Sequence, residues 1–262
     1  MVHSLLFVPA REKMLGKISG FEADGYVIDL EDSIRREEKG EALANAVHFL
    51  EQPGRGDRTL FVRLNKENYM EEAERLGKFA GLGFMLPKFE DGGEYLEGRK
   101  IWEEHSVMAL IETPKGLVRL PSIAEENWVD GLAFGAEDYT AAVNMGNRFQ
   151  NLSYQKNRLV TYARAYGKTV YDTPSFQTGD WDAFTAEVDN AVELGFDGKL
   201  SIHPKHVGYI NAAFSREDLG KLREIVQEYE NCGQAVLVFG GRPYERMHIE
   251  RFRRILRENG GI

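Results

Sequence analysis

Acidic, basic, imidazole and amide side chains recur at, or within four positions of, the ends of short apolar runs: Asp29, Glu31 and Asp32, then Arg63 and Asn65, Lys88, Glu112, Glu137 and Asp138, Asp172, and His203. Glu112 and one acid of the Glu137/Asp138 pair could supply hard oxygen ligands to an octahedral cation that keeps other positions for water and substrate, which describes magnesium. Zinc suits the chain less well. It has no cysteine set and no H-E-x-x-H helix, and Pro204 in His203-Pro204-Lys205-His206 is placed to begin a helix rather than to separate a ligand pair. Arg63 carries the planar fork that grips a carboxylate through two parallel hydrogen bonds. Gly135 and Ala136, just before Glu137, would let backbone N–H groups approach an anion closely. Together these groups describe a site for a small oxoacid whose carboxylate and adjacent oxygen chelate the metal. The plainer alternative is that the acids form structural ion pairs with Arg63 and Lys88, and that Gly135 only makes a turn.

For such residues to meet, the apolar runs before them must converge. Leu5 to Val8, Tyr26 to Leu30, Leu60 to Leu64, Phe84 to Leu86, Val107 to Ile111, Gly131 to Phe134, Thr169 to Tyr171 and Lys199 to Ile202 are short apolar, β-branched or aromatic runs, near-continuous rather than alternating. That pattern predicts strands buried on both faces, as in a parallel sheet covered by helices. Segments with helical spacing and charged faces lie between them, around Lys13 to Ser19, Glu37 to Leu50, Tyr69 to Ala80, Gly93 to His105, Leu117 to Glu125, Gln155 to Tyr166 and Trp181 to Leu194. The strands recur roughly every 28 residues, which suits strand, helix and two loops. The reading is a (β/α)8 TIM barrel with a C-terminal helical lid-like extension, its active site at the C-terminal strand ends. An open doubly wound sheet is the alternative, but no G-x-G-x-x-G or Walker loop follows any run. The barrel is assigned to residues 1–214. From 215 to 262 the rhythm changes to a charged amphipathic segment from Arg216 to Asn231, an apolar run to Phe239, Gly240-Gly241-Arg242-Pro243, and a basic helix-like end. Its glycines could hinge it as a lid over its own or a neighbouring subunit; the plainer role is a helix packed on the barrel.

The 262 residues include 33 basic and 42 acidic side chains, a net charge of −9, which argues against a chain-wide nucleic-acid or anionic-membrane surface. A single cysteine, Cys232, cannot form an internal disulfide. The start, MVHSLLFVPAREK, is too briefly apolar for a signal segment or membrane span, so the cytoplasm is the expected compartment. Arg11, Lys13 and Lys17 form a basic cluster after the first run, either a phosphate-binding patch or a solvated helix face.

Several motifs in order carry a resemblance: Leu5-Leu6-Phe7-Val8-Pro9, Asp29-Leu30-Glu31-Asp32-Ser33, Val62-Arg63-Leu64-Asn65, Leu86-Pro87-Lys88, Leu110-Ile111-Glu112-Thr113-Pro114, Phe134-Gly135-Ala136-Glu137-Asp138-Tyr139 and Gly198-Lys199-Leu200-Ser201-Ile202-His203-Pro204. From residue 4 to roughly 258 the chain resembles the citrate lyase β-subunit family. This is part of the HpcH/HpaI aldolase group, with malyl-CoA, citramalyl-CoA and citryl-CoA lyases. The resemblance implies a magnesium enzyme, with manganese as the alternative ion, that cleaves or forms a carbon–carbon bond between an acyl-CoA and a 2-oxoacid such as glyoxylate, pyruvate or oxaloacetate. It implies Glu112 and Asp138 as metal ligands, Arg63 as charge stabiliser, and Gly135, Ala136 and Glu137 at the substrate. It further implies Arg11 and Lys17 at the coenzyme A phosphates, Ile202 and Pro204 beside the acyl-carrier channel, and a homotrimer or a multiple of one.

Two stretches depart from the family pattern. Pro9-Ala10-Arg11 is shorter than the P-G-x-R-P that members often carry. Gly241-Arg242-Pro243-Tyr244-Glu245 stands where several CoA lyases have a Gly-(Lys/Arg)-Met-(Ile/Val)-Asp lid motif, so Glu245 would be the lid carboxylate. The competing functions are a thioesterase or a CoA-independent aldolase on the same barrel, and a non-catalytic subunit that binds the oxoacid or coenzyme A.

Overall fold

Near-continuous apolar runs form strands here because both faces are covered. They are β1 (Ser4–Pro9), β2 (Gly25–Asp29), β3 (Thr59–Arg63), β4 (Leu82–Leu86), β5 (Val107–Ile111), β6 (Gly131–Phe134), β7 (Thr169–Asp172) and β8 (Gly198–Ser201) in a computed structural model that describes residues 2–52, 58–146, 149–215 and 219–258. Each strand pairs in parallel with the next, and β8 pairs with β1, Leu200 opposite Leu5, so the sheet closes into a barrel without edges. That closure excludes the open doubly wound alternative. Leu5, Val27, Phe61, Met85, Met108, Leu110, Ala133, Tyr171 and Leu200 form one buried cluster, with Phe7 packed against it. Because strand side chains alternate, this cluster fixes which residues of every strand face inward.

Helices cover the outer face, and two depart from expectation. The segment from Gly93 to His105 is mostly a 3-10 helix, Gly92–Gly98, followed by one α turn, Arg99–Trp102. The Trp102 indole N–H donates to the Tyr95 carbonyl at 2.8 Å, occupying the acceptor that α-geometry would give to Arg99. The segment from Leu117 to Glu125 lies in two helices, Pro114–Val118 and Leu120–Glu125. Pro121 has no N–H for the Leu117 carbonyl, and Arg158 Nη2 donates to that oxygen instead, at 3.4 Å.

The chain divides into two compact units, Val2–Ala213 and Phe214–Ile262. The second unit has a helix, Leu219–Cys232, an antiparallel hairpin of β9 (Val236–Phe239) and β10 (Arg242–Glu245), and a basic helix, Arg246–Glu258. The start of the expected amphipathic segment at Arg216 lies outside the described residues. Ile225, Leu237, Tyr244, Ile249 and Leu256 make this unit's core. The extension thus has the expected helices and, between them, a hairpin. Gly240 and Gly241, at φ +57° and +79°, form the two-residue turn whose left-handed backbone matches strand twist. Among the described residues no helix is long and apolar enough to cross a membrane.

Candidate active site

Counting in steps of two from the barrel cluster brings Pro9, Asp29, Arg63, Glu112, Gly135, Thr173 and Ile202 to the inward side of the strand ends, and all of them line a cavity of about 370 Å³. Phe7, Leu110 and Leu200 form its apolar floor, while Asp32 reaches it from the loop after β2, and Glu137 and Asp138 from the first turn of the helix Ala136–Ala142. The chemistry therefore sits where a parallel barrel collects it.

Asp29 and Arg63 are direct neighbours on β2 and β3. Arg63 Nε and Nη2 donate to the two Asp29 carboxylate oxygens at 2.8 Å each, and Nη1 donates to Asp32 at 2.9 Å and lies 3.1 Å from Glu31. The Phe7 ring packs under the guanidinium, 4.9 Å from its carbon. Burial works against the Asp29 charge, but Arg63, with help from the Ser33 and Glu31 N–H groups, holds this carboxyl below the usual range. Burial likewise opposes the guanidinium, and its three acids outweigh that and hold it charged. The edge of Arg63 expected to grip a substrate carboxylate is thus taken by Asp29. What the residue presents to the cavity is a fixed positive charge.

Glu112 is buried, and its Oε1 accepts the Lys88 backbone N–H at 2.8 Å. Lys88 reaches this position with φ +47°, unusual for a side-chain-bearing residue, and its ammonium lies 3.0 Å from Glu31 and 3.7 Å from Asp138. Burial and the negative charge of Glu31 push the Glu112 carboxyl up to about 8. Lys88 is held charged, its burial overcome by the bond to Glu31. Gly135 is required by contact: an added Cβ would fall 2.5 Å from both Cβ and Oε2 of Glu112. Its role differs from the expected one, because the Gly135 N–H donates to Ile111 O and the Ala136 N–H to Thr173 Oγ1, at 3.0 and 3.1 Å. Neither N–H is left for an anion.

Other strand-end residues turn away. Asp172 and Lys199 have the outward parity and are buried between sheet and helices, where Lys199 and Lys156 both donate to Asp172. His203 caps the helix Pro204–Phe214, its Nδ1 accepting from the Lys205 N–H at 3.2 Å. Arg11 and Lys17 are exposed, and Arg11 is paired with Glu38 at 2.9 Å. Ile202 is on the cavity wall and Pro204 opens the next helix. Glu245 ends β10 in the second unit, exposed, with its backbone N–H donating to His248. Thr173, on the cavity wall, and the buried lysines behind it were not singled out from sequence, because only the strand pairing brings them together.

Asn65 is clamped from below. Its backbone N–H and Nδ2 donate to Glu72 at 2.7 and 2.5 Å. Burial nevertheless raises the Glu72 carboxyl from its ordinary 4.5 to about 7, so the folded state binds this proton more tightly than the unfolded chain does. Its contribution is fully present below about pH 4.5 and lost as pH rises through about 7, on the order of 3 kcal/mol over that window. Glu72→Gln should flatten the stability profile between about pH 5 and 7 in denaturant unfolding; parallel profiles for variant and parent would refute it.

Among the described residues no three His, Cys, Asp or Glu side chains surround one point as a complete cage. Two carboxylates on an open cavity nonetheless suit magnesium, which keeps several waters and takes one or two protein carboxylates. Glu112 and Asp138 both line the cavity with Asp29, Asp32 and Glu137, and Arg63 is the one cationic side chain among the lining residues. That excess of carboxylates at the cavity favours a cation there.

The family described as HpcH/HpaI aldolase/citrate lyase matches residues 3–204. A (3S)-malyl-CoA thioesterase of Cereibacter sphaeroides is 28% identical over 264 residues, covering 97% of this chain and 93% of that protein. Human mitochondrial citramalyl-CoA lyase is 26% identical over 270 residues, covering 91% of this chain and 79% of its own. Among solved structures, CitE from Mycobacterium tuberculosis in complex with magnesium, acetoacetate and coenzyme A aligns with a TM-score of 0.80 at 25% identity, covering 99% of this chain and 98% of that one.

Proposed function

Because the chain belongs to the HpcH/HpaI aldolase/citrate lyase family, we propose that it is a magnesium-dependent carbon–carbon lyase. It would cleave a 3-hydroxy-diacyl thioester to an acyl-CoA and a 2-oxoacid (glyoxylate, pyruvate or oxaloacetate), or run the reverse condensation. The observation that carries this reading is that Glu112, Asp138 and Arg63 line one cavity. Glu112 and Asp138 would hold the ion. Bound magnesium, or manganese in its place, supplies Lewis-acid polarisation of the oxoacid oxygens.

In cleavage the hydroxyl loses its proton, the carbon–carbon bond breaks, the oxoacid carbonyl forms, and the acyl-CoA enolate takes a proton at carbon. Arg63, fixed and kept charged by Asp29, faces the oxygen on which negative charge builds, in a buried setting where that attraction is strong. The floor of Phe7, Leu110 and Leu200 keeps water from the enolate. Glu245 is proposed as the carboxylate that moves the proton, delivered to the site of a neighbouring copy in a homotrimer or a multiple of one. Arg11 and Lys17 would meet the coenzyme A phosphates, with Arg11 exchanging Glu38 for phosphate. Ile202 and Pro204 would border the acyl chain, and the cytoplasm is the proposed compartment.

Thioester hydrolysis is the second reading, favoured by the name of the Cereibacter relative. Incubation with magnesium and malyl-, citramalyl- and citryl-CoA separates the two. The lyase releases 2-oxoacid and acyl-CoA in equal amounts with no free thiol. Free coenzyme A without oxoacid would replace it by the hydrolase, cleavage of the free acids by the CoA-independent aldolase, and oxoacid binding without turnover by the non-catalytic subunit. Glu245→Ala should lower kcat while leaving magnesium-dependent oxoacid binding in place.

A further inference from the structure

Behind the cavity wall, among β7, β8 and the helix Ser153–Ala165, Lys156, Asp172 and Lys199 are all buried. Lys156 Nζ lies 3.0 Å from Asp172 Oδ1 and 3.1 Å from Oδ2, and Lys199 Nζ lies 2.6 Å from Oδ2. One lysine would neutralise Asp172, and removing a second ammonium from water costs several kcal/mol unless other bonds compensate. Burial pulls the Lys199 ammonium below the usual lysine range. The bond that sets Lys199 apart is its second one, 2.6 Å to the Thr173 carbonyl. Thr173 in turn places its Oγ1 in the cavity wall, where it accepts the Ala136 N–H. Ala136 opens the short helix Ala136–Ala142, and Asp138 is in its first turn.

We infer that Lys199 is a positioning residue that acts through Thr173 and Ala136 to fix the Asp138 carboxylate at the cavity. The route runs from β8 to the end of β7 and across to the start of the helix after β6, through hydrogen bonds each observed. A lysine needed only to tie β7 to β8 would be satisfied by Asp172, its direct neighbour in register. The bond to Thr173 O instead holds a loop residue whose hydroxyl is the acceptor for the Asp138 helix. Groups that orient metal-binding residues typically change metal affinity by about 10- to 100-fold when removed.

The inference rests on the reading of Asp138 as a metal ligand, so the test uses manganese binding alone, followed by electron paramagnetic resonance. Parent protein and Thr173→Ser, which keeps the hydroxyl, should bind alike. Thr173→Val, similar in shape but without the acceptor, should bind about tenfold more weakly at a nearly unchanged melting temperature. Lys199→Met, where it folds, should match Thr173→Val, and the double variant should be no weaker than either alone. Parental affinity in Thr173→Val would overturn the role of Lys199 while leaving the metal site standing. Parental affinity in Asp138→Ala would instead overturn the metal reading beneath it.

Discussion

Arg63→Met is expected to destabilise the fold by about 3 to 5 kcal/mol at neutral pH, the range for removing one partner of a buried charge network. Arg63 is 9% exposed, between Asp29 at 2% and Glu31 at 7%, so its loss leaves buried Asp29 without a counter-charge and Glu31 with Lys88 alone. The pH dependence fixes the sign. Arg63 holds Asp29 below the ordinary carboxylate range, so the stability it contributes is present above the unfolded value and is lost as pH falls through the folded one. In the variant the orphaned acids would protonate at higher pH, so the gap to the parent should narrow on going from about pH 7 to about pH 5. Arg63→Lys restores a charge but not the two parallel bonds to Asp29, and should recover less than half the loss. Turnover of the cognate thioester should fall by about 100-fold or more in the folded fraction of either variant. Unfolding within about 1 kcal/mol of the parent would contradict this, because that is the cost of losing a solvent-exposed ion pair rather than a buried one.

The barrel was legible because strands covered on both faces read as near-continuous apolar runs, as in Val107–Ile111 and Gly131–Phe134. The same property hid which residues face inward. An unbroken run carries no phase, so Asp172 was expected at the mouth, and only the inward packing of Tyr171 shows that it points away. Arg63 and Glu112 were legible as cavity residues by their strand-end positions, but the Asp29–Arg63 grip was not. It depends on β2 and β3 lying in register, which no local pattern encodes. Gly135 was read as an opening for an anion, and the structure fills that space with the Glu112 side chain, from a residue 23 positions earlier. The 3-10 segment after Gly92 was missed because its cause, the Trp102 indole on the Tyr95 carbonyl, competes with helix formation from within a helical-looking pattern.

Glu112→Gln should abolish magnesium-dependent oxoacid binding yet leave the melting temperature of the metal-free protein at or above that of the parent. The amide keeps an oxygen for the Lys88 N–H that Glu112 Oε1 now accepts. It also removes a charge that burial and Glu31 make unfavourable, as the rise of this carboxyl to about 8 records. Asp138→Ala should lose binding in the same way, about 100-fold or more for either, because each removes one of the two protein carboxylates proposed for the ion. Gly135→Ala separates the presence of Glu112 from its placement: the new methyl would overlap Glu112 at 2.5 Å, so the carboxylate must move even though it remains. Binding should then weaken by about tenfold or more, with a stability cost of roughly 1 to 3 kcal/mol from overpacking. Calorimetric titration of pyruvate with and without magnesium, together with thermal melts, reads both quantities. Parental binding in Glu112→Gln would place the ion elsewhere. A large fall in melting temperature without metal would mean that Glu112 holds the barrel together rather than the substrate.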